Sequence, residues 1–147
     1  MANTIYRGPS KDEPETVSDK TVAGAYLPGI LCTESATALT VATGSNMEDD
    51  LVILSNRRFY GQDVATAYAS GDTGVAYRPR PGEIYQVRLA GATYAKGATL
   101  TVGASGYLEA TSTSERVMAY FEGTAGAVTA GTLNDVRIAN GFLTAAA

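Results

Sequence analysis

Histidine and tryptophan are absent from the 147 residues, and cysteine occurs once. Without histidine the chain lacks the commonest general base, the usual physiological-pH switch and the usual transition-metal ligand. The lone Cys32 can form no intramolecular disulfide and cannot build a cysteine-rich zinc or iron–sulfur site within one chain. It stands in the apolar run 27–32, where a cysteine behaves as a small buried hydrophobe, and no histidine is there to activate it as a nucleophile. Large core formers are also scarce. Leu, Ile, Val and Phe make up about a fifth of the residues, at the edge of the range associated with disorder. The net charge of −4 is too modest for disorder of the whole chain. A folded domain with a thin core is expected, and a thin core favours help from association.

Clustered positive charge is missing too. The sequence pI is near 4.7, and the basic residues are scattered, which argues against nucleic acid as a partner. Arg78, Arg80 and Arg88 come closest to a basic patch, although solvated turn charges are the simpler reading. No run approaches ~20 apolar residues, so no membrane-spanning helix is expected. The first fifteen residues carry no apolar signal core, so synthesis and folding in a cytoplasm are expected. There is no GxxxxGK[ST] loop, and glycines such as Gly97, Gly103 and Gly106 lie between strand-like segments instead of opening a helix.

Carboxylates remain as candidate chemistry. Glu48, Asp49 and Asp50 form the densest cluster, yet their spacing does not match an EF-hand loop, and a solvated acidic turn is the simpler reading. Asp63, Asp72, Glu83, Glu109 and Glu122 would make a glycosidase only if two of them flanked a sugar at a defined separation. No cofactor, metal site or catalytic residue is assigned, and the chain is expected not to be an enzyme. Nine tyrosines are spread along the sequence. Tyrosine suits barrel rims and interfaces, where one end of the side chain is apolar and the other wet.

What is present is a series of short β-type segments punctuated by glycine. Residues 1–20 are polar, carry Pro9 and Pro14, and show neither a period of 2 nor of 3.6. They read as an extended arm without a packed element, with Ile5, Tyr6 and Arg7 as its candidate partner contacts. The β-domain then runs over 21–147. Pro28-Gly29 fits the middle of a type II turn. The apolar run Leu51-Val52-Ile53-Leu54 reads as a strand buried on both faces. Residues 56–61 turn the chain, and 62–69 fit either a helical turn or a strand. In 83–90, Tyr85, Val87 and Leu89 share one face and Gln86 and Arg88 the other. Gly103 to Gly106 joins two strands as a hairpin loop, and 133–140 closes the set with Val136 and Ile138 inward and Arg137 outward. Residues 95–100 and 128–133 resemble each other, too briefly for a repeat. Nine or ten strands at 8–12-residue spacing predict an all-β barrel or sandwich.

The order Leu27-Pro28-Gly29-Ile30-Leu31, Lys96-Gly97-Ala98-Thr99-Leu100, Gly106-Tyr107-Leu108-Glu109-Ala110 and Asn134-Asp135-Val136-Arg137-Ile138 resembles the head decoration, or cement, proteins of tailed bacteriophages. The resemblance covers about four-fifths of the chain. The arm and the segment 56–81 are longer than that family's pattern. The resemblance implies a small β-barrel or β-tulip-like domain on the outer surface of the virion capsid. It also implies clamping of neighbouring major capsid protein subunits, usually as a homotrimer, with no cofactor and no catalysis. Two other readings stay open: a tail or fibre module that recognises a glycan, and a carboxylate-based hydrolase.

Overall fold

A computed structural model of the chain describes residues 4–9, 13–44 and 50–140. The fold is all-β. Its fourteen strands among the described residues are, in chain order, β1 (Tyr6–Gly8), β2 (Glu15–Val17), β3 (Thr21–Val22), β4 (Leu31–Glu34), β5 (Ala38–Val41), β6 (Leu51–Ser55) and β7 (Val75–Arg78). They continue with β8 (Ile84–Arg88), β9 (Ala92–Tyr94), β10 (Thr99–Val102), β11 (Leu108–Ala110), β12 (Ala119–Phe121), β13 (Gly126–Val128) and β14 (Leu133–Ile138). One six-stranded sheet runs β1-β8-β14-β12-β10-β11 and a second runs β2-β7-β6-β4-β5-β3, while β13 and β9 form a two-stranded ribbon. Every pairing is antiparallel except β3 with β5.

The two large sheets share an inner core. Leu31 and Ile53 from the second sheet meet Tyr85, Val87, Leu100, Phe121 and Val136 from the first. The opposite face of the second sheet is covered as well, by a cluster that joins Cys32, Val52 and Leu54 to Val17, Val22 and Tyr68. That double coverage is why β6 is a continuous apolar run: Val52 and Leu54 face one cluster and Ile53 the other. Cys32 lies inside the outer cluster, and burial pushes its thiol up to about 12.

One local device recurs. Residues 80–83, 95–98 and 129–132 are four-residue turns, each closed by an N–H of the last residue to the carbonyl of the first at 3.0–3.2 Å. Each has glycine third, at φ +87, +82 and +81, where other residues are strained. In each, the glycine amide donates to a neighbouring strand's end: Gly82 to Ile138, Gly97 to Phe121 and Gly131 to Leu89. The first and third are reciprocal, since Gly82 leads into β8 and pins the end of β14, while Gly131 leads into β14 and pins the chain just after β8. The likeness between 95–100 and 128–133 therefore has a structural meaning: the same turn joins β9 to β10 and β13 to β14, and β9 pairs with β13. Gly29, at φ +92, fits the predicted turn after Pro28.

Three expectations are corrected. Residues 1–20 are not free of packed elements, because β1 pairs with β8 and β2 with β7, at one edge of each large sheet. Among its described residues the buried hydrophobic side chains are Ile5 and Val17, too few to show a period, and backbone pairing needs no side-chain pattern. Residues 62–69 are neither helix nor strand but a turn-rich loop, in which Val64 and Tyr68 are drawn into different clusters. Gln86 and Arg88, the polar face of β8, are buried rather than wet. Arg88 donates from its guanidinium to the carbonyls of Pro28 (2.8 Å), Val64 (2.6 Å) and Gly131 (2.6 Å), tying three loops together. Desolvation holds its pKa below the usual arginine value.

Candidate binding surface

Soluble domains leave single apolar residues exposed as a matter of course, so only a large, clustered exposure is informative. Among the described residues, the exposed large hydrophobics are sequence neighbours, Phe59 at 89% and Tyr60 at 81%. They sit on a single 3-10 turn, Arg58–Tyr60, which follows β6 and ends at Gly61 in the left-handed region.

Buried amides hold this knuckle in place. Asn56 Nδ2 donates to the carbonyl of Gln62 at 2.7 Å, and Gln62 Oε1 accepts from the amide of Arg57 at 2.7 Å. Gln62 Nε2 in turn donates to the carbonyl of Thr66 at 3.0 Å. The Arg57 guanidinium pairs with Asp72 at 2.9 Å and lies 5.0 Å from the centre of the Tyr68 ring and 5.6 Å from that of Tyr60. The Tyr68 hydroxyl donates to the carbonyl of Ser55 at 2.6 Å. Both ends of the turn are thus fixed before any partner arrives, and a preorganised loop loses little conformational entropy on binding.

Beside the knuckle runs a cleft of about 400 Å³, lined by Thr4, Ile5, Tyr6, Glu13, Pro14 and Thr16 in and around β1 and β2, and by Arg58, Phe59 and Tyr77. Tyr6 and Tyr77 line it with their rings 6.2 Å apart, and both pack on the buried Tyr85 at 5.2 and 5.9 Å, all tilted. Burial, reinforced by the Glu83 carboxylate, pushes the Tyr85 hydroxyl well above the usual tyrosine range, so it stays a hydrogen-bond donor. A second hollow on the other side of Phe59 is lined by Asn56, Arg58, Val75 and Tyr77.

The predicted partner contacts fall in and around this cleft, in different states. Ile5 is 1% exposed and belongs to the inner core. Tyr6 packs against Tyr77 and Tyr85 and donates to the carbonyl of Pro9 at 2.6 Å. Arg7 is exposed and lies 3.5 Å from Asp135. The arginines read as a possible basic patch are consumed separately. Arg78 bridges Glu15 (2.6 Å) and Glu34 (2.8 Å), Arg80 binds Glu83 and the carbonyl of Glu13, and Arg88 is internal. The hydrogen bonds to Glu34 and Glu15 raise the Arg78 pKa further.

Four of the five candidate carboxylates have structural employment. Asp63 accepts from the amide of Ala65, Asp72 pairs with Arg57, Glu83 accepts from the amide of Arg80, and Glu122 pairs with Arg137 at 2.8 Å. That last hydrogen bond lowers the Glu122 pKa. No group of three His, Cys, Asp or Glu able to hold a metal occurs among the described residues. Of the acidic cluster, Asp50 is exposed, while Glu48 and Asp49 lie outside the described residues. No helix is long and apolar enough to cross a membrane.

The knuckle itself escaped the sequence reading, which took 56–61 only as a turn. The signal was present: two adjacent aromatics in a turn otherwise made of arginines and glycine.

No protein-family model matches the chain, and no curated protein matches it. Among solved structures, the head fiber gp8.5 N base of bacteriophage phi29 is similar, with a TM-score of 0.60 at 19% sequence identity. The match covers 88% of this chain and 98% of that one. At this identity the likeness shows the fold, shared over nearly the whole of both chains.

Proposed function

We propose that the chain is a structural protein of a bacteriophage head, bound to the outer surface of the assembled capsid as a decoration protein. In this role it stabilises contacts between major capsid protein subunits, works as a homotrimer, belongs to the virion and catalyses nothing. The observation that carries this reading is the fold shared end to end with the base of a phage head fiber. The resemblance to decoration proteins points the same way from independent features. In this chain its four motifs fall at the turns that open β4 and β10, in the loop into β11, and on the closing strand β14. A rigid aromatic knuckle on a protein with a thin core also suits a chain stabilised by association.

Electron cryo-microscopy of heads assembled with and without the protein tests the reading. Added density on the outer capsid surface, fitted by the two six-stranded sheets, is the expected result. Heads with no such density, together with selective binding of the protein on a glycan array, would replace this role with that of a glycan-recognition module.

A further inference from the structure

We propose that the knuckle and the cleft are the two halves of a contact between copies of this chain: Phe59 of one copy enters the cleft of the next. The inference deepens the self-association part of the reading above and rests on it only for the number of copies.

Three observations carry it. The first is size. A cavity of ~150 Å³ suffices for a benzene ring, and the cleft offers about 400 Å³ beside the rings of Tyr6 and Tyr77. A phenyl ring set there gains tilted aromatic contacts, the arrangement that ring quadrupoles favour. The second is charge. Arg58, next to Phe59 on the knob, and Glu13 both line the cleft of their own copy, and both are exposed. Neither side chain has an ion-pair partner among the described residues. Docking Phe59 of one copy into the cleft of another brings Arg58 of the first towards Glu13 of the second. The third is preorganisation. The amides fix the backbone of the turn while the Phe59 ring stays 89% exposed, so association orders little of the chain. Since every copy carries both halves, the contact repeats from copy to copy and gives a closed ring where the rotation per contact divides a full turn.

The test is the mass of the full chain in solution, by light scattering and native mass spectrometry at micromolar to hundred-micromolar concentration. The wild type is expected at a discrete multiple of 15.2 kDa. Phe59→Ser is expected to run as a monomer. Glu13→Arg and Arg58→Glu should each weaken association at least tenfold, and the double variant should recover most of the loss, because reversing both charges restores the pair. All three positions are exposed, so an unchanged circular dichroism spectrum and melting temperature serve as the folding control. A monomeric wild type, an unaffected Phe59→Ser, or charge reversals that do not rescue each other would overturn the contact. Head binding by Phe59→Ser separates the two readings. A monomer that still binds heads supports a contact confined to copies of the chain. An intact oligomer that no longer binds heads overturns it and gives the knuckle to the capsid.

Discussion

The first strands and the knuckle invert each other. Residues 4–9 and 13–17 are polar and rich in turn formers, yet they are built into the molecule, with β1 on an edge of one large sheet and β2 on an edge of the other, as a strap across the two. Residues 58–60 contain two aromatics, yet they stand in solvent. Composition would have sorted the two the other way. The strap is held because a few buried atoms suffice when the backbone pairs on both sides. The knuckle stands out because the Asn56 and Gln62 side chains hold its backbone from beneath, bonding the carbonyls of Gln62 and Thr66 and the amide of Arg57.

The comparison would break most decisively at Ile5. This side chain is 1% exposed within the inner core, and its carbonyl accepts from the amide of Gln86 at 2.7 Å. Ile5→Ala should destabilise the whole fold by about 2–5 kcal/mol, the range for truncating a buried aliphatic side chain. Urea titration followed by tyrosine fluorescence reads it. A loss below about 1 kcal/mol would mean that the strap docks without supporting the core, and that the arm-like reading of its composition is the better one.

A smaller effect is expected beneath the knuckle. Asn56→Ala removes the donor to the Gln62 carbonyl, and an orphaned buried group of this kind costs about 1–3 kcal/mol. The loss should be local. Amide exchange should accelerate over 57–66, while the strands of the inner core keep the protection set by global unfolding. Exchange that rises uniformly through the molecule would show the knuckle to be part of the core's cooperative unit and not a loop fixed upon it.

Strand positions with alternating or continuous apolar residues were legible: β6, β8 and β14 lie where the periodicity places them, and the glycines of the turns mark where strands begin. The short strands β1, β2, β9 and β13 were not legible. Three residues cannot display a period, and their pairing is carried by backbone groups that every sequence has. The buried Arg88 was illegible for a different reason. Its partners are carbonyls of Pro28, Val64 and Gly131, which leave no charge signature of the kind a carboxylate partner would. The candidate surface was half legible. Ile5 and Tyr6 were singled out and do line the cleft, but Phe59 was passed over because a turn signal was read as sufficient explanation of its segment.

The smallest effect separates two ways of holding the strap. Arg78 reaches Glu15 on β2 at 2.6 Å and Glu34 on β4 at 2.8 Å, so the strap might be thought an electrostatic latch. The physical chemistry favours the alternative. The Arg78 and Glu15 side chains are 43% and 58% exposed, and ion pairs in such settings are worth about 0.2–1 kcal/mol because water and salt already screen them. Val17, two residues on, is 2% exposed in the cluster around Cys32. Glu15→Gln should therefore lower stability by about 0.5 kcal/mol or less, and the difference from wild type should shrink further in 1 M salt. Arg78 keeps its bonds to Glu34 in that variant, so its charge stays compensated. A loss well above 1 kcal/mol that vanishes in salt would make the strap a latch held by charge, and the contrast with the knuckle would then be one of electrostatics instead of burial.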